Sequence, residues 1–317
     1  MNRENIMNIL LCLDDTTWDY SRHTAVTILS VLETNKNNKL KFFILSSNIP
    51  QNNINELKRI VSLYDQEIEF IINDNIIPEE LKNVMINKNK LTWGVWYRRF
   101  FTKFIKNIDR ILCIDSDVLV LEDISDIYNM DMKWKSIAWY YDCYPFRCKN
   151  RIFWIKNYIN AGVLLFDAKK YDMNKINTKV LETINEKYSQ YFHWSDQDKI
   201  NIIFKDDIIV GKEEMNYLIT NKWFTKWLNN AKIVHCLQKP YIKNNNIPQK
   251  IVNIYNKYLN LTKWEWFPEK EINVWFFKYI FTYIREFFVQ LLINIWLWEL
   301  IGNLFIIKRK YLNKKIS

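Results

Sequence analysis

Arg110-Ile111-Leu112-Cys113-Ile114-Asp115-Ser116-Asp117-Val118-Leu119-Val120-Leu121 sets two carboxylates one residue apart inside an apolar run. Residues 111–114 are short, apolar and rich in strand formers, which predicts a buried strand. Side chains alternate along a strand, so Asp115 and Asp117 are expected to point the same way where it ends. Two carboxylates that close repel each other unless a positive charge lies between them. Hard divalent cations such as Mn2+ and Mg2+ accept carboxylate oxygens and go on to bind phosphate oxygens. The pair therefore reads as a metal clamp for a phosphate-bearing substrate. Its bland alternative is a solvated acidic turn, because Asp-x-Asp arises often by chance.

Outward from this stretch, apolar runs and helical spacings alternate. Residues 6–13 read as a first buried strand ending in Asp14-Asp15. Ala25, Ile28, Leu29 and Leu32 fall at helical spacing, with Ser21 a candidate cap. Strands are expected at 40–45 and 68–72, and a helix at 54–64. Pro78 suits the opening of a short helix. Trp93, Tyr97, Phe100 and Phe104 make one apolar helix face. Further strands are expected at 137–141, 163–166, 208–210 and 232–234. Helices are expected at 175–188 and from about Ser195. Such alternation predicts βαβ units and an α/β fold with a mostly parallel sheet flanked by helices.

Ligands of open α/β sheets bind at the carboxyl ends of the strands. Asp14-Asp15, Asp115-x-Asp117 and His235 all fall at such ends. If the sheet gathers these ends, two carboxylates and an imidazole can surround one ion, a donor set that suits Mn2+ better than Ca2+. Lys239 follows closely and offers a cation for a phosphate. Taken alone, His235 reads more readily as a hydrogen-bonded strand-end residue.

Composition sets bounds on function. The chain has 317 residues, 49% apolar and 25% charged, with 4 Gly and 6 Pro, which argues for a globular fold and against disordered or fibrous classes. The net charge of +10 points to an anionic partner. The five cysteines are scattered without Cys-x-x-Cys spacing and read as reduced thiols of a cytosolic environment. No secretory signal is expected, since the apolar stretch at 9–13 runs straight into two aspartates. A nucleic-acid-binding protein is one rival, but no such module is visible. A metal-dependent nucleotidyltransferase is another, but it would want a Gly-rich phosphate loop.

The order of motifs resembles the retaining glycosyltransferases of family 8, which have the GT-A fold and include bacterial lipopolysaccharide galactosyl- and glucosyltransferases. The pieces are Asn8 to Asp15, Ala25 to Leu32, Trp96-Tyr97-Arg98-Arg99-Phe100, Arg110 to Val120, Asn160-Ala161-Gly162-Val163-Leu164-Leu165-Phe166, Asp196-Gln197-Asp198, and His235 with Lys239-Pro240-Tyr241. They span roughly residues 7 to 241. The resemblance implies that Asp115, Asp117 and His235 ligate Mn2+ (Mg2+ is the alternative), which bridges the phosphates of a UDP-sugar. Lys239 would hold the diphosphate. Asp14 and the backbone near Cys12 would contact the uracil, with Trp18 or Tyr20 stacking on it, and Ser116 would lie against the donor. Arg98, Asn160, Asp196, Gln197 and Asp142 would surround the transferred sugar, with Arg99 an alternative to Arg98. Asp196 and Gln197 are the candidates for the reacting centre, Asp196 being the better nucleophile. The implied acceptor is a glycan or glycolipid, and nucleic acid is not an expected partner. Between His235 and Lys239 the chain is shorter than the family pattern and lacks its Gly.

Residues 1–260 are expected to form the transferase domain. Residues 261–317 differ in character. Phe277, Ile284, Leu291, Trp298 and Phe305 recur every seven residues, and Lys308, Arg309, Lys310, Lys314 and Lys315 close the chain. An apolar helix with a basic flank suits an anionic membrane surface. Packing on the domain or on a partner is the alternative. Gln290, Asn294, Glu299 and Asn303 argue against a membrane span. The expected location is the cytoplasmic face of a membrane.

Overall fold

The computed structural model describes residues 6–15, 20–85, 93–141, 153–156, 158–189, 192, 195–211, 216–219, 228–236, 242–243, 247–265 and 270–271. Strands β1 (Met7–Leu13), β2 (Leu40–Ser46), β3 (Glu67–Ile72) and β4 (Arg110–Ile114) are parallel neighbours in the order β3-β2-β1-β4. The short β5 (Val118–Val120) leaves this sheet. The main sheet continues with β6 (Ile137–Tyr141), β7 (Ile159–Asp167) and β8 (Ile208–Gly211), in the order β4-β7-β6-β8. β7 runs antiparallel to both β4 and β6. A second sheet orders β5, β10 (Ile233–His235) and β9 (Tyr217–Leu218). The expected mostly parallel α/β sheet is therefore present.

Both faces of the central strands are covered, which explains their near-continuous apolar runs. Alternation divides β1 between two cores: Ile9, Leu11 and Leu13 enter one, Leu10 the other. Likewise Leu112 and Ile114 of β4 oppose Ile111 and Cys113. Helices α1 (Tyr20–Thr34) and α2 (Gln51–Ser62) cover the first face.

Several local expectations are corrected. The Asp115-Ser116-Asp117 segment does not lie on one strand; it is a turn where the chain crosses from β4 to β5. Helix α1 enforces this break. Thr27 donates its hydroxyl to the carbonyls of Ser116 (3.0 Å) and Val118 (2.8 Å), and Ser30 Oγ accepts the Val120 N–H at 3.0 Å. Ser21 does not cap α1. Asp15 does, taking the Tyr20 N–H at 2.9 Å and the Ser21 hydroxyl. The apolar face from Trp93 to Phe104 is not one helix but successive turns, Gly94–Tyr97, Arg98–Phe100 and Phe101–Phe104. The helix expected from residue 175 starts at Thr178, capped by Asn177, whose side chain accepts the Val180 N–H at 3.1 Å. β7 begins four residues before the expected 163. Its pairing with β6 shifts register between Trp139 and Tyr141, opposite the Ile159–Leu164 stretch. A bulge of this kind re-aims side chains, and here it falls on Asn160-Ala161-Gly162.

Packing continues past residue 260. The helix Gln249–Leu259 buries Ile251, Tyr255 and Tyr258 against the first core, and Trp264 follows it there. Among the described residues no helix is long and apolar enough to cross a membrane. Most of residues 261–317 lie outside the described residues.

Candidate active site

The β4–β5 turn is held from both sheets. Asp115 donates its N–H to the Gly162 carbonyl of β7 at 2.8 Å, and the Asp117 carbonyl accepts the Cys236 N–H at 2.9 Å. His235 ends β10 beside Val118 of β5. These attachments bring Asp115, Asp117 and His235 together, with one ligand atom from each within 4.8 Å of the others. His235 Nε2 lies 3.1 Å from Asp117 Oδ1 and 3.9 Å from Asp115 Oδ2.

Hydrogen bonds decide which histidine nitrogen faces the cluster. Asn160 Oδ1 accepts the Gly162 N–H at 2.8 Å and the Asn216 amide at 3.0 Å. That atom is thus the oxygen, and His235 Nδ1, at 3.1 Å from it, must be the donor. Neutral His235 then turns the lone pair of Nε2 toward the two aspartates. Gly162 makes room for the ring: a Cβ there would lie 2.1 Å from His235 Cε1. A second-layer acceptor on the distal histidine nitrogen is the usual support for a metal-ligating imidazole.

The cluster passes a test of fit for a divalent cation. Oxygen ligands of small hard cations sit about 2.1 Å from the ion, so neighbouring ligand atoms lie roughly 3–4 Å apart. The two separations above fall in that range. Asp115 gives Oδ1 to an ion pair with the buried Arg98 and keeps Oδ2 facing His235. Burial pushes the Asp115 carboxyl upward, opposed by Arg98. For His235, burial favours the neutral ring, but the negative charge of Asp117 and Asp115 outweighs it and raises the pKa. A cation would replace that proton.

The other expected site residues divide three ways. Asn160, Gln197 and Asp196 are buried, Asn160 against His235, Gln197 against Asn160, and Asp196 beside Arg99. Gln197 Oε1 accepts the Ala161 N–H at 2.9 Å and the Asn160 amide at 3.3 Å, and its Nε2 donates to the Tyr158 hydroxyl at 3.1 Å. Tyr158 in turn donates to Asp198 at 2.7 Å. Asn201, one turn on, exchanges hydrogen bonds with the Ile159 backbone, both at 2.9 Å. The helix Ser195–Ile203 is thereby fastened to the bulged end of β7. Asp14 and Cys12 stand at the end of β1, the parallel neighbour of β4. Ser116 is buried, its hydroxyl 2.9 Å from that of Thr24. Tyr20 opens α1. Asp142, Lys239 and Trp18 lie outside the described residues. Among the thiols, Cys12, Cys113 and Cys236 are free.

Arg98 and Arg99 were expected as alternatives for one role, and Asn216 was not expected at all. Arg98 and Arg99 are both buried and serve different carboxylates: Arg98 takes Asp115, while Arg99 lies 3.4 Å from Asp196. The doublet in the sequence was the available signal. Asn216 had none, because its role depends on a contact with Asn160, 56 positions away.

A seven-stranded sheet of this order, with an Asp-x-Asp turn and a histidine converging beside its carboxyl edge, is the GT-A fold. The model for glycosyl transferase family 8 matches residues 8–242, and the chain belongs to that family. General stress protein A of Bacillus subtilis (strain 168) is 26% identical over 294 residues, which cover 86% of this chain and 100% of that protein. A lipopolysaccharide 1,2-glucosyltransferase of Escherichia coli is 21% identical over 272 residues, covering 80% of this chain and 78% of its own. The crystal structure of the galactosyltransferase LgtC in complex with donor and acceptor sugar analogues superposes with a TM-score of 0.68 at 20% identity, over 81% of this chain and 96% of that one. The protein is thus a glycosyltransferase related to those of lipopolysaccharide synthesis.

Proposed function

We propose that the enzyme is a retaining hexosyltransferase that moves galactose or glucose from a UDP-sugar to a glycan acceptor. The acceptor class is lipopolysaccharide, lipooligosaccharide or another surface glycan, in keeping with the names of its Escherichia coli relatives. The observation that carries the reading is the convergence of Asp115, Asp117 and His235. These three residues hold Mn2+, or Mg2+ in its place. The ion supplies Lewis-acid stabilisation for the negative charge that develops on the departing diphosphate. Lys239 adds a second positive charge to the same phosphates. Asp14 and the backbone at Cys12 take the uracil. Asn160, Asp196, Gln197 and Asp142 line the sugar, and Arg98 holds Asp115 in place.

Retention needs either a covalent sugar–enzyme intermediate or attack on the face the diphosphate leaves. The covalent route wants a free carboxylate beneath the anomeric carbon. Asp196 faces the Arg99 guanidinium, which lowers its nucleophilicity, and both ends of the Gln197 amide are engaged by Ala161, Asn160 and Tyr158. These contacts favour same-face attack, with a leaving phosphate oxygen accepting the proton of the acceptor hydroxyl. The apolar and basic C-terminal region is assigned to an anionic membrane surface, beside a lipid-linked acceptor.

Thermal stabilisation against a panel of nucleotide sugars, with and without Mn2+, tests the donor. Stabilisation by a UDP-sugar that requires the ion is expected. Asp115→Asn and Asp117→Asn should each abolish ion-dependent turnover, and full activity in either variant refutes the ligand assignment.

A further inference from the structure

Lys263 lies beyond the family-matched residues 8–242, yet its bonds lead through Asn53 to Asp15, beside the strand end that the proposed function assigns to the nucleotide. Its ammonium donates to Asn53 Oδ1 at 2.7 Å and to the Asn52 carbonyl at 2.9 Å. Asn53, only 3% exposed, then donates its amide to Asp15 Oδ2 at 2.9 Å. Asp15, 0% exposed, accepts the Tyr20 N–H and the Ser21 hydroxyl, and so fixes where α1 starts after β1. The segment that brings Lys263 here is itself docked on α2. Glu56 accepts the Lys263 N–H at 3.0 Å, and Arg59 donates to the Leu261 carbonyl at 3.2 Å.

This chain of bonds has a direction. An asparagine amide can present its oxygen or its nitrogen to Asp15. A cation on Oδ1 leaves only Nδ2 for the carboxylate, so Lys263 selects the orientation that gives Asp15 a donor. The reverse orientation would set two acceptors against each other in a buried place, which is costly. Asp15 adjoins Asp14, the residue assigned to the uracil.

We infer that Lys263 is a positioning residue for the donor nucleotide, acting through Asn53 and Asp15 on the junction of β1 and α1. The inference rests on the assignment of Asp14 to a uridine diphosphate donor. It makes a segment outside the family-matched span part of donor recognition. Asp115, Asp117 and His235 stand apart from these bonds, so the effect falls on nucleotide affinity and not on the chemical step.

The test uses the full chain and three proteins: wild type, Lys263→Met and Lys263→Arg. Affinity for uridine diphosphate in the presence of Mn2+ is measured by calorimetry, and donor KM and kcat by turnover. The methionine variant should bind about three- to tenfold more weakly, as expected for loss of one orienting hydrogen bond. Its KM should rise by the same factor with kcat unchanged, and arginine should restore most of the affinity. Amide exchange at Tyr20, which Asp15 caps, should quicken in Lys263→Met alone. Unchanged exchange at Tyr20 overturns the relay. Faster exchange with unchanged affinity overturns its role in donor recognition, as does a fall in kcat without a change in KM. Wild-type protein that binds no uridine diphosphate overturns the donor assignment and the recognition role with it, while the exchange result still decides the relay.

Discussion

Replacing Gly162 by alanine should dismantle the proposed metal site without changing Asp115, Asp117 or His235. The added Cβ would lie 2.1 Å from His235 Cε1, 2.4 Å from Nδ1 and 2.9 Å from Asn160 Oδ1. Carbon atoms pack comfortably at about 3.5 Å, so the ring must retreat by roughly 1.4 Å. Functional metal–ligand distances tolerate about 0.2 Å, so a displacement several times larger removes His235 from the shell. It also breaks the Nδ1–H bond to Asn160 that sets the tautomer. Loss of outer support alone typically costs 10–100-fold in metal affinity. Loss of the ligand and its support together should cost at least about 100-fold, or roughly 2.7 kcal/mol. Calorimetric titration of Mn2+ into the variant, with circular dichroism to verify the fold, measures this directly. A folded Gly162→Ala protein that binds the ion within about threefold of wild type would refute the placement of His235.

Glu56 gives a prediction about pH. The Arg59 guanidinium, donating two bonds of 2.8 Å, holds its carboxyl below the usual range, and the Lys263 N–H adds to this. A depressed folded pKa stabilises above the unfolded value of about 4.3, and that contribution fades as pH falls through the depressed value. Urea unfolding should therefore show Glu56→Gln less stable than wild type at pH 7, with the gap closing toward pH 3. A gap independent of pH would contradict the ion pair. The membrane assignment predicts that the full chain floats with vesicles containing anionic phosphatidylglycerol, and that a chain ending at residue 271 does not. Equal flotation of both removes the assignment.

The main sheet was legible because buried parallel strands carry their signal in consecutive residues. Residues 137–141 and the run ending at Leu13 needed only composition and the aspartates that follow. β7 was half-hidden, since Asn160 and Gly162 read as turn residues while a bulge keeps them in the strand. The break at Asp115 to Asp117 was invisible for the opposite reason. Its flanks are equally apolar, and what divides them is the pair of hydroxyls of Thr27 and Ser30 on α1, 89 to 91 positions away. The same distance effect separates the site residues. Asp115, Asp117 and His235 could be picked out as ligand types at strand ends. The orienting partners Asn216 and Tyr158 act through contacts that no local pattern records. Arg98 and Arg99 were adjacent in sequence, and only their surroundings assign each to its own acid.

The turn between β4 and β5 is a seam. Asp115 is tied to the large sheet through Gly162, whereas Asp117 and His235 travel with the small one. Sliding either sheet along the other by an ångström would separate the charges on its two sides. The capacity to grip a cation therefore gauges how well the two sheets stay aligned, and a gripped cation would rivet them.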